Sequence, residues 1–191
     1  MKNVFLKKEK MILVIAVAVL FLGVLTGALY MAHSETDSSL YEYLNNFFET
    51  FCADENRFSI FKNALADNLK IVIIITLCGF FKFGTAGVLA VLGIKGFVSG
   101  FTTAAFVRYY AMKGLLVPLA SLVSSILFIP ALVLFSTYAV VFSLKKKNKN
   151  DIGIFLLCAL LCFTIFCVVS FFDGYVTTIF MKLFRTFIVK M

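Results

Sequence analysis

The fold is decided by the stretch "MILVIAVAVLFLGVLTGALYM", Met11 to Met31, in which no residue carries a charge. An α-helix rises about 1.5 Å per residue, so a run of this length crosses the roughly 30 Å hydrocarbon core of a bilayer. The run is longer than the apolar part of a typical secretion signal, and the following "YMAHSETD" lacks a small-residue cleavage motif. We therefore predict a retained transmembrane helix.

The composition of the whole chain also indicates that much of it lies in a lipid bilayer. Of the 191 residues 62% are hydrophobic, and 24 are phenylalanine, whereas soluble domains are nearer half apolar. Further apolar runs are long enough to cross a bilayer. The sequence therefore predicts an all-α, polytopic integral membrane protein that forms a single membrane domain. Its five transmembrane helices are expected at residues 11–31, 65–82, 83–109, 115–144 and 152–172.

The positive charges of the chain indicate its orientation. A net charge of +8 would suggest a nucleic-acid partner in a soluble protein, but the cations here flank apolar runs. Lys2, Lys7, Lys8 and Lys10 precede the first span, and "KKKNKN", Lys145 to Asn150, follows the fourth. The positive-inside rule then predicts a cytoplasmic N-terminus, with the lipid bilayer and not nucleic acid as the partner of the basic residues.

Two segments outside the spans have the pattern of amphipathic helices. The segment 33–64 is acidic and external in this topology, and its apolar residues at helical spacing form a candidate partner surface: Leu40, Tyr43, Leu44, Phe47, Phe48 and Phe51. A helix on the membrane or packed on the bundle is the favoured interpretation, and a surface for a protein partner is the alternative. The pattern of residues 175–191 predicts a second, C-terminal amphipathic helix that lies along a surface.

Lys95, in "LGIKGFVSGF", lies near the middle of the third span, where a charge costs at least about 2.5 kcal/mol. We see no carboxylate within the predicted spans to neutralise it. Three interpretations are open. The helix could break near Gly93 to Gly96 around a polar cavity; Lys95 could extend along a continuous helix toward the cytoplasm, which we favour; or Lys95 could activate Ser99, four residues on, as in a Ser-Lys hydrolase.

Small residues in the same stretch predict close helix packing. Gly96, Gly100 and Ala104 recur every four residues, a pattern that lets two membrane helices approach closely. The pattern does not say whether the partner is a helix of this chain, a second copy in a homo-oligomer or another protein. We expect Gly100→Leu to disrupt assembly and Gly100→Ala to be milder. Pro130, inside the fourth span, is expected to kink that helix.

The residue types that support catalysis are scarce. His33 is the only histidine, and the five cysteines form no CxxC pattern, so the sequence offers no histidine triad, metal cluster or phosphate-binding loop. We predict no enzymatic activity, no cofactor and no metal. Two alternatives stay open: a transporter or permease subunit with a polar site around Lys95, and the less favoured intramembrane Ser-Lys hydrolase.

The central region resembles a known family. "IKGFVSGFTTAAFVRYYAMKGLL" and "FIPALVLFSTYAVVFSL", with the upstream "FSIFKNALADNL", are similar to stage II sporulation protein M of endospore-forming bacteria. The similarity is close over Phe58 to Leu144. The residues that carry it are Phe58, Phe61, Asn63, Asn68, Lys95, Gly96, Gly100, Phe101, Lys113, Gly114, Pro130 and Ala131.

The resemblance implies a specific role. Proteins of this kind act in engulfment, when the mother-cell membrane migrates around the forespore, as a non-enzymatic membrane anchor for two cell-wall hydrolases, an amidase and a lytic transglycosylase. It implies a location in the mother-cell membrane facing the forespore. One departure is local: the family carries a Pro-x-Asn element before Ile-Pro, where this chain has Ser124 and Ser125.

Overall fold

The computed structural model contains five long helices and no β-strand among the residues it describes. These are residues 2–34, 40, 42, 44, 46, 57–81, 83–114, 116–144 and 149–177, with backbone alone at 2–8, 57, 111–123 and 176–177. The helices are α1 (Lys2–His33), α2 (Arg57–Phe80), α3 (Gly84–Gly114), α4 (Leu116–Leu144) and α5 (Lys149–Phe171). Each contains a segment long and apolar enough to cross a membrane, which confirms the predicted all-α polytopic fold.

The helices form one bundle in which neighbours in space are not always neighbours in sequence. α1 packs most extensively on α3, although α2 lies between them in the chain, and α2 packs on α5 as well as on α3. A π-helical segment, Phe172–Thr177, continues α5 and also packs on α2. The order of the helices in space therefore differs from their order in the sequence.

Aromatic rings fill the centre of the bundle. Phe155 on α5 is fully buried, stacks on Phe142 with ring centres 4.3 Å apart and meets the edge of Phe80 at 5.6 Å. Phe135 and Tyr138 lie parallel to it at 6.1 and 6.0 Å. Offset and edge-on arrangements are the favourable geometries for aromatic pairs, so one ring on α5 connects α2 to α4.

Helix boundaries differ from the predicted ones chiefly at α2. This helix begins at Arg57, earlier than the predicted start at 65, because its first turns carry polar residues that we assigned to the external loop. Lys62 and Asn63, for example, are exposed residues of this helix. α4 runs unbroken through Pro130, while the predicted kink there stays a prediction. Most of the predicted C-terminal helix lies outside the described residues.

A second apolar cluster closes the end of the bundle that we predict to be external. It consists of Met31, Leu44, Ala105 and Phe106, with Leu40 packed against it. Leu44 is 5% exposed, so the external segment is held against α1 and α3 at this point. Arg108 adds a polar contact, because its Nη1 donates to the carbonyl oxygens of Met31 and Ser34 at 2.5 and 2.6 Å and so satisfies the free C-terminal carbonyls of α1.

Candidate functional site

Two pairs of glycines form the contact between α1 and α3. Gly96 and Gly100 on α3 lie against Gly23 and Gly27 on α1 so closely that a Cβ atom on any of the four would overlap the backbone of the other helix. A Cβ at Gly100, for instance, would overlap the carbonyl group of Val24. The partner of the small-residue pattern is therefore a helix of the same chain, and Gly23 and Gly27 complete the pattern on the other side.

Two expectations about this contact change with the structure. Gly100→Ala cannot be mild, because the added methyl group meets backbone atoms, which have no alternative rotamer. The second helix of the pair was missed, although the spacing of Gly23 and Gly27 in the first apolar run is the same four residues as that of Gly96 and Gly100 and could have indicated it.

The other residues of the predicted packing motif have different surroundings. Ala104 packs against the external cluster and lines a groove between α1 and α3 together with Ala28 and Arg108. Gly114 ends α3, which is where glycine is favoured. Pro130 lies on the exposed side of α4. The described structure gives none of the three a chemical role.

Lys95 borders a cavity among all five helices that is lined by both polar and apolar side chains. The cavity has a volume of about 250 Å³ and is bordered by Lys95 and Ser99 from α3, Asn68 from α2, Ser124 and Ser125 from α4, and Asp173 after α5. The ammonium lies 5.2 Å from the ring centre of Phe128, within the range of a cation–π interaction. We call this space the central cavity.

The structure bears on two of the interpretations of Lys95. α3 is continuous from Gly84 to Gly114, as the favoured interpretation expected, so the cavity forms without a break in the helix. The direction of the side chain differs from that interpretation, because Lys95 does not extend toward the end of the bundle that contains Gly84 and Leu144. Lys95 lies about 16 Å along α3 from Gly84, and Phe128 lies about 24 Å along α4 from Leu144, so the ammonium above Phe128 is directed away from that end.

Two carboxylates correct the expectation that none in the spans could neutralise Lys95: Asp67, inside the predicted second span, which acts on Lys95 electrostatically, and Asp173. The sequence places Asp173 just beyond the predicted fifth span, but the π-helical segment keeps it inside the bundle, where it borders the central cavity and interacts electrostatically with Lys95. Its Oδ1 accepts a hydrogen bond from the Ser124 hydroxyl at 2.5 Å. The serine that departs from the family pattern thus binds this carboxylate.

Asn68 is a further polar residue of the site. It is one of the residues that carry the family resemblance, but nothing in the sequence indicated its role. It is 6% exposed, and its Nδ2 donates to Ser170 Oγ at 3.0 Å, while Ser170 donates in turn to the Phe166 carbonyl. This chain links α2 to α5 beside the cavity. Sequence spacing does not single out Asn68 or Asp173, because each contacts residues that belong to another helix.

The candidate partner surface is described only in part. Leu40 and Leu44 pack against the external cluster, as the interpretation of a helix on the bundle expects, whereas Tyr43, Phe47, Phe48 and Phe51 lie outside the described residues. The partner surface stays a prediction. His33 lies at the end of α1, where its Nδ1 donates to the Leu29 carbonyl at 3.0 Å.

The same cavity allows a test of the Ser-Lys alternative. Within the described residues, neither Ser99 Oγ nor Lys95 Nζ makes a hydrogen bond, so no paired nucleophile and base is formed. We expect Ser99→Ala to leave sporulation efficiency unchanged and Lys95→Arg, which keeps the charge, to retain most of it; spore counts would measure both. A Ser-Lys enzyme would lose activity in each variant, because arginine stays protonated and cannot act as a base.

The geometry defines a five-helix polytopic membrane protein with a glycine-packed α1–α3 pair and a charged cavity in its interior. A family model, stage II sporulation protein M, matches residues 16–178, which contain the last four spans and most of the first. The chain belongs to this family and is therefore a sporulation-related membrane protein. No curated protein and no solved structure matches the chain.

Proposed function

We propose that this protein is a non-enzymatic membrane scaffold that anchors and localises peptidoglycan hydrolases while the mother-cell membrane engulfs the forespore. Membership of the stage II sporulation protein M family supports the process, and the resemblance described above supplies the partners, an amidase and a lytic transglycosylase. The bundle adds the physical basis of anchoring, since five spans hold the chain in the bilayer.

One observation carries the scaffold role. Leu44 is buried against Met31, Ala105 and Phe106, so the external segment is attached to the ends of α1 and α3 instead of being a free linker. A surface fixed to the membrane bundle keeps a bound hydrolase at a constant height and orientation relative to the bilayer. Pre-organisation of this kind reduces the entropy lost when a partner binds.

The orientation of the scaffold follows from charge. The lysines among the first ten residues and those between α4 and α5 support a cytoplasmic N-terminus. In the mother-cell membrane the external cluster then faces the space between the two membranes, where the cell wall lies and where wall hydrolases act.

A transporter or permease subunit is the second candidate, and the central cavity favours it. Lys95 and Asp173 border one polar space inside the bundle, and ionisable residues within membrane spans commonly mark a ligand or ion path. This candidate needs the cavity to be reached from both sides of the membrane, whereas the scaffold needs only the external surface.

The scaffold is tested by removing the predicted surface without disturbing the bundle. Replacing Tyr43, Phe47 and Phe48 by serine should abolish recovery of both hydrolases in a pull-down through this protein and should stop membrane migration around the forespore, seen by fluorescence microscopy. Leu157→Ala is the matched control, because Leu157 is 60% exposed on the lipid-facing side of α5 and should change neither readout.

Two outcomes would contradict the proposal. Engulfment at the normal rate in a strain that lacks the protein would exclude the engulfment role. Normal recovery of both hydrolases by the triple serine variant would exclude this surface as the anchor. Uptake of a substrate that depends on Lys95 in cells with unchanged hydrolase recovery would favour the transporter.

A further inference from the structure

The central cavity holds two opposite charges, Lys95 from α3 and Asp173 from the segment after α5. Lys95 Nζ makes no hydrogen bond to any described residue, and it lies over the ring of Phe128. Asp173 Oδ1 accepts a hydrogen bond from Ser124. At roughly 30 Å³ for each water in the liquid, the 250 Å³ space could hold about eight waters or one small polar group of similar size.

Further polar groups face the same space. Asn68 uses one N–H on Ser170, which leaves its second N–H and its carbonyl oxygen for the cavity. Ser99 also borders the cavity. The lining therefore supplies a cation, an amide, hydroxyls and a carboxylate from different helices. A buried charge of either sign is stable only when it is paired and hydrogen-bonded.

The cavity opens through the side of the bundle. Three of its lining residues are exposed on the outside, namely Val98 at 51%, Ile129 at 41%, and Ser99. They lie on α3 and α4, two membrane-spanning helices, so this opening meets lipid and not solvent. Its lining is mainly apolar, and the polar groups within it are few and definite.

We propose that the central cavity binds the zwitterionic headgroup of a phospholipid that carries a primary amine. The phosphate lies against Lys95, the ammonium lies against Asp173, and the acyl chains leave between α3 and α4 along Val98 and Ile129. Charge complementarity selects this class, because a purely anionic headgroup would face the Asp173 carboxylate with nothing to offset it. The inference is independent of the scaffold role.

Direct binding of defined lipids tests the proposal. The full chain, purified in mild detergent and stripped of lipid, is titrated by native mass spectrometry with dihexanoyl phosphatidylethanolamine, dihexanoyl phosphatidylglycerol or glycerophosphoethanolamine. We expect one molecule of the ethanolamine lipid to bind, at least about tenfold more tightly than the glycerol lipid or the free headgroup. Lys95→Met and Asp173→Asn should each weaken that binding about tenfold or more, because each removes one charge-assisted contact.

Two further variants locate the site. Lys70→Met removes an exposed cation from α2 and should leave the affinity unchanged. Val98→Trp obstructs the lateral opening without altering a charge, and it should abolish binding, so the site is tested even if the charge variants fail to fold.

Several results would overturn the proposal. Binding of the glycerol lipid as tight as that of the ethanolamine lipid would exclude selection for a zwitterion. Equal affinity for the free headgroup would exclude a lipid as its source. The site itself would be excluded if no lipid bound, or if bound lipid persisted unchanged in Val98→Trp.

Discussion

Gly100→Ala is expected to prevent assembly of the bundle, although it adds only one methyl group. The new Cβ would overlap the backbone of Val24 on α1, and neither backbone can move without separating the two helices. Overpacking of a tightly packed site costs about 3 kcal/mol or more when no side chain can yield, and lipid offers no hydrophobic force to restore the contact. We expect loss of the monodisperse peak in detergent size-exclusion chromatography and degradation in cells.

Gly93→Ala is the matched control on the same helix. A Cβ there meets only Val19 Cγ1 at 3.6 Å, which is ordinary van der Waals contact, and alanine is the better helix former. Its abundance should equal or exceed that of the natural chain. Equal abundance of Gly100→Ala and Gly93→Ala would show that α1 and α3 do not cross at these glycines.

Phe155→Ala is expected to lower the resistance to unfolding more than any other single truncation of a core side chain. Phe155 is fully buried and lies among four aromatic rings on α2 and α4, so its removal leaves a cavity and forfeits their dispersion contacts. We expect a loss of about 3 kcal/mol, measured by unfolding in mixed micelles of increasing sodium dodecyl sulfate, followed by circular dichroism.

Leu157→Ala is the control for Phe155→Ala. It removes an apolar side chain from the same helix, but one that is exposed and not buried. Leu157 contacts lipid rather than protein, so the change should be within about 0.5 kcal/mol. If Phe155→Ala were as stable as Leu157→Ala, the ring cluster would not be the centre of the bundle.

The sequence was sufficient to predict the number of spans, because each span is a long apolar run. The length and apolarity of such a run are local properties that suffice for it to cross the hydrocarbon core. The glycines at 96 and 100 were equally visible, since their function depends on spacing along one helix. Boundaries were predicted less accurately, because single polar residues such as Lys62 and Asn63, which belong to α2, resemble the residues of a loop.

The contents of the central cavity could not be predicted from spacing. Asn68, Lys95 and Asp173 lie on different helices and border one space only after α2, α3 and α5 have packed. The interpretation of Lys95 as a cation directed to the cytoplasm failed for the same reason, since the aromatic ring and the carboxylate that it meets are contributed by elements far away in the chain. Contacts between residues of different helices produce no regular spacing in the sequence from which they could be predicted.

The glycine contact between α1 and α3 imposes an order on synthesis. α1 enters the membrane first, yet the surface that receives Gly23 and Gly27 is made only after α2 has also been inserted. At about 5 to 20 residues per second, roughly 4 to 15 s separate the translation of Gly27 from that of Gly100. During this interval the bare glycine face of α1 is open to lipid and to membrane proteases, so the nascent chain is most vulnerable before its third helix emerges.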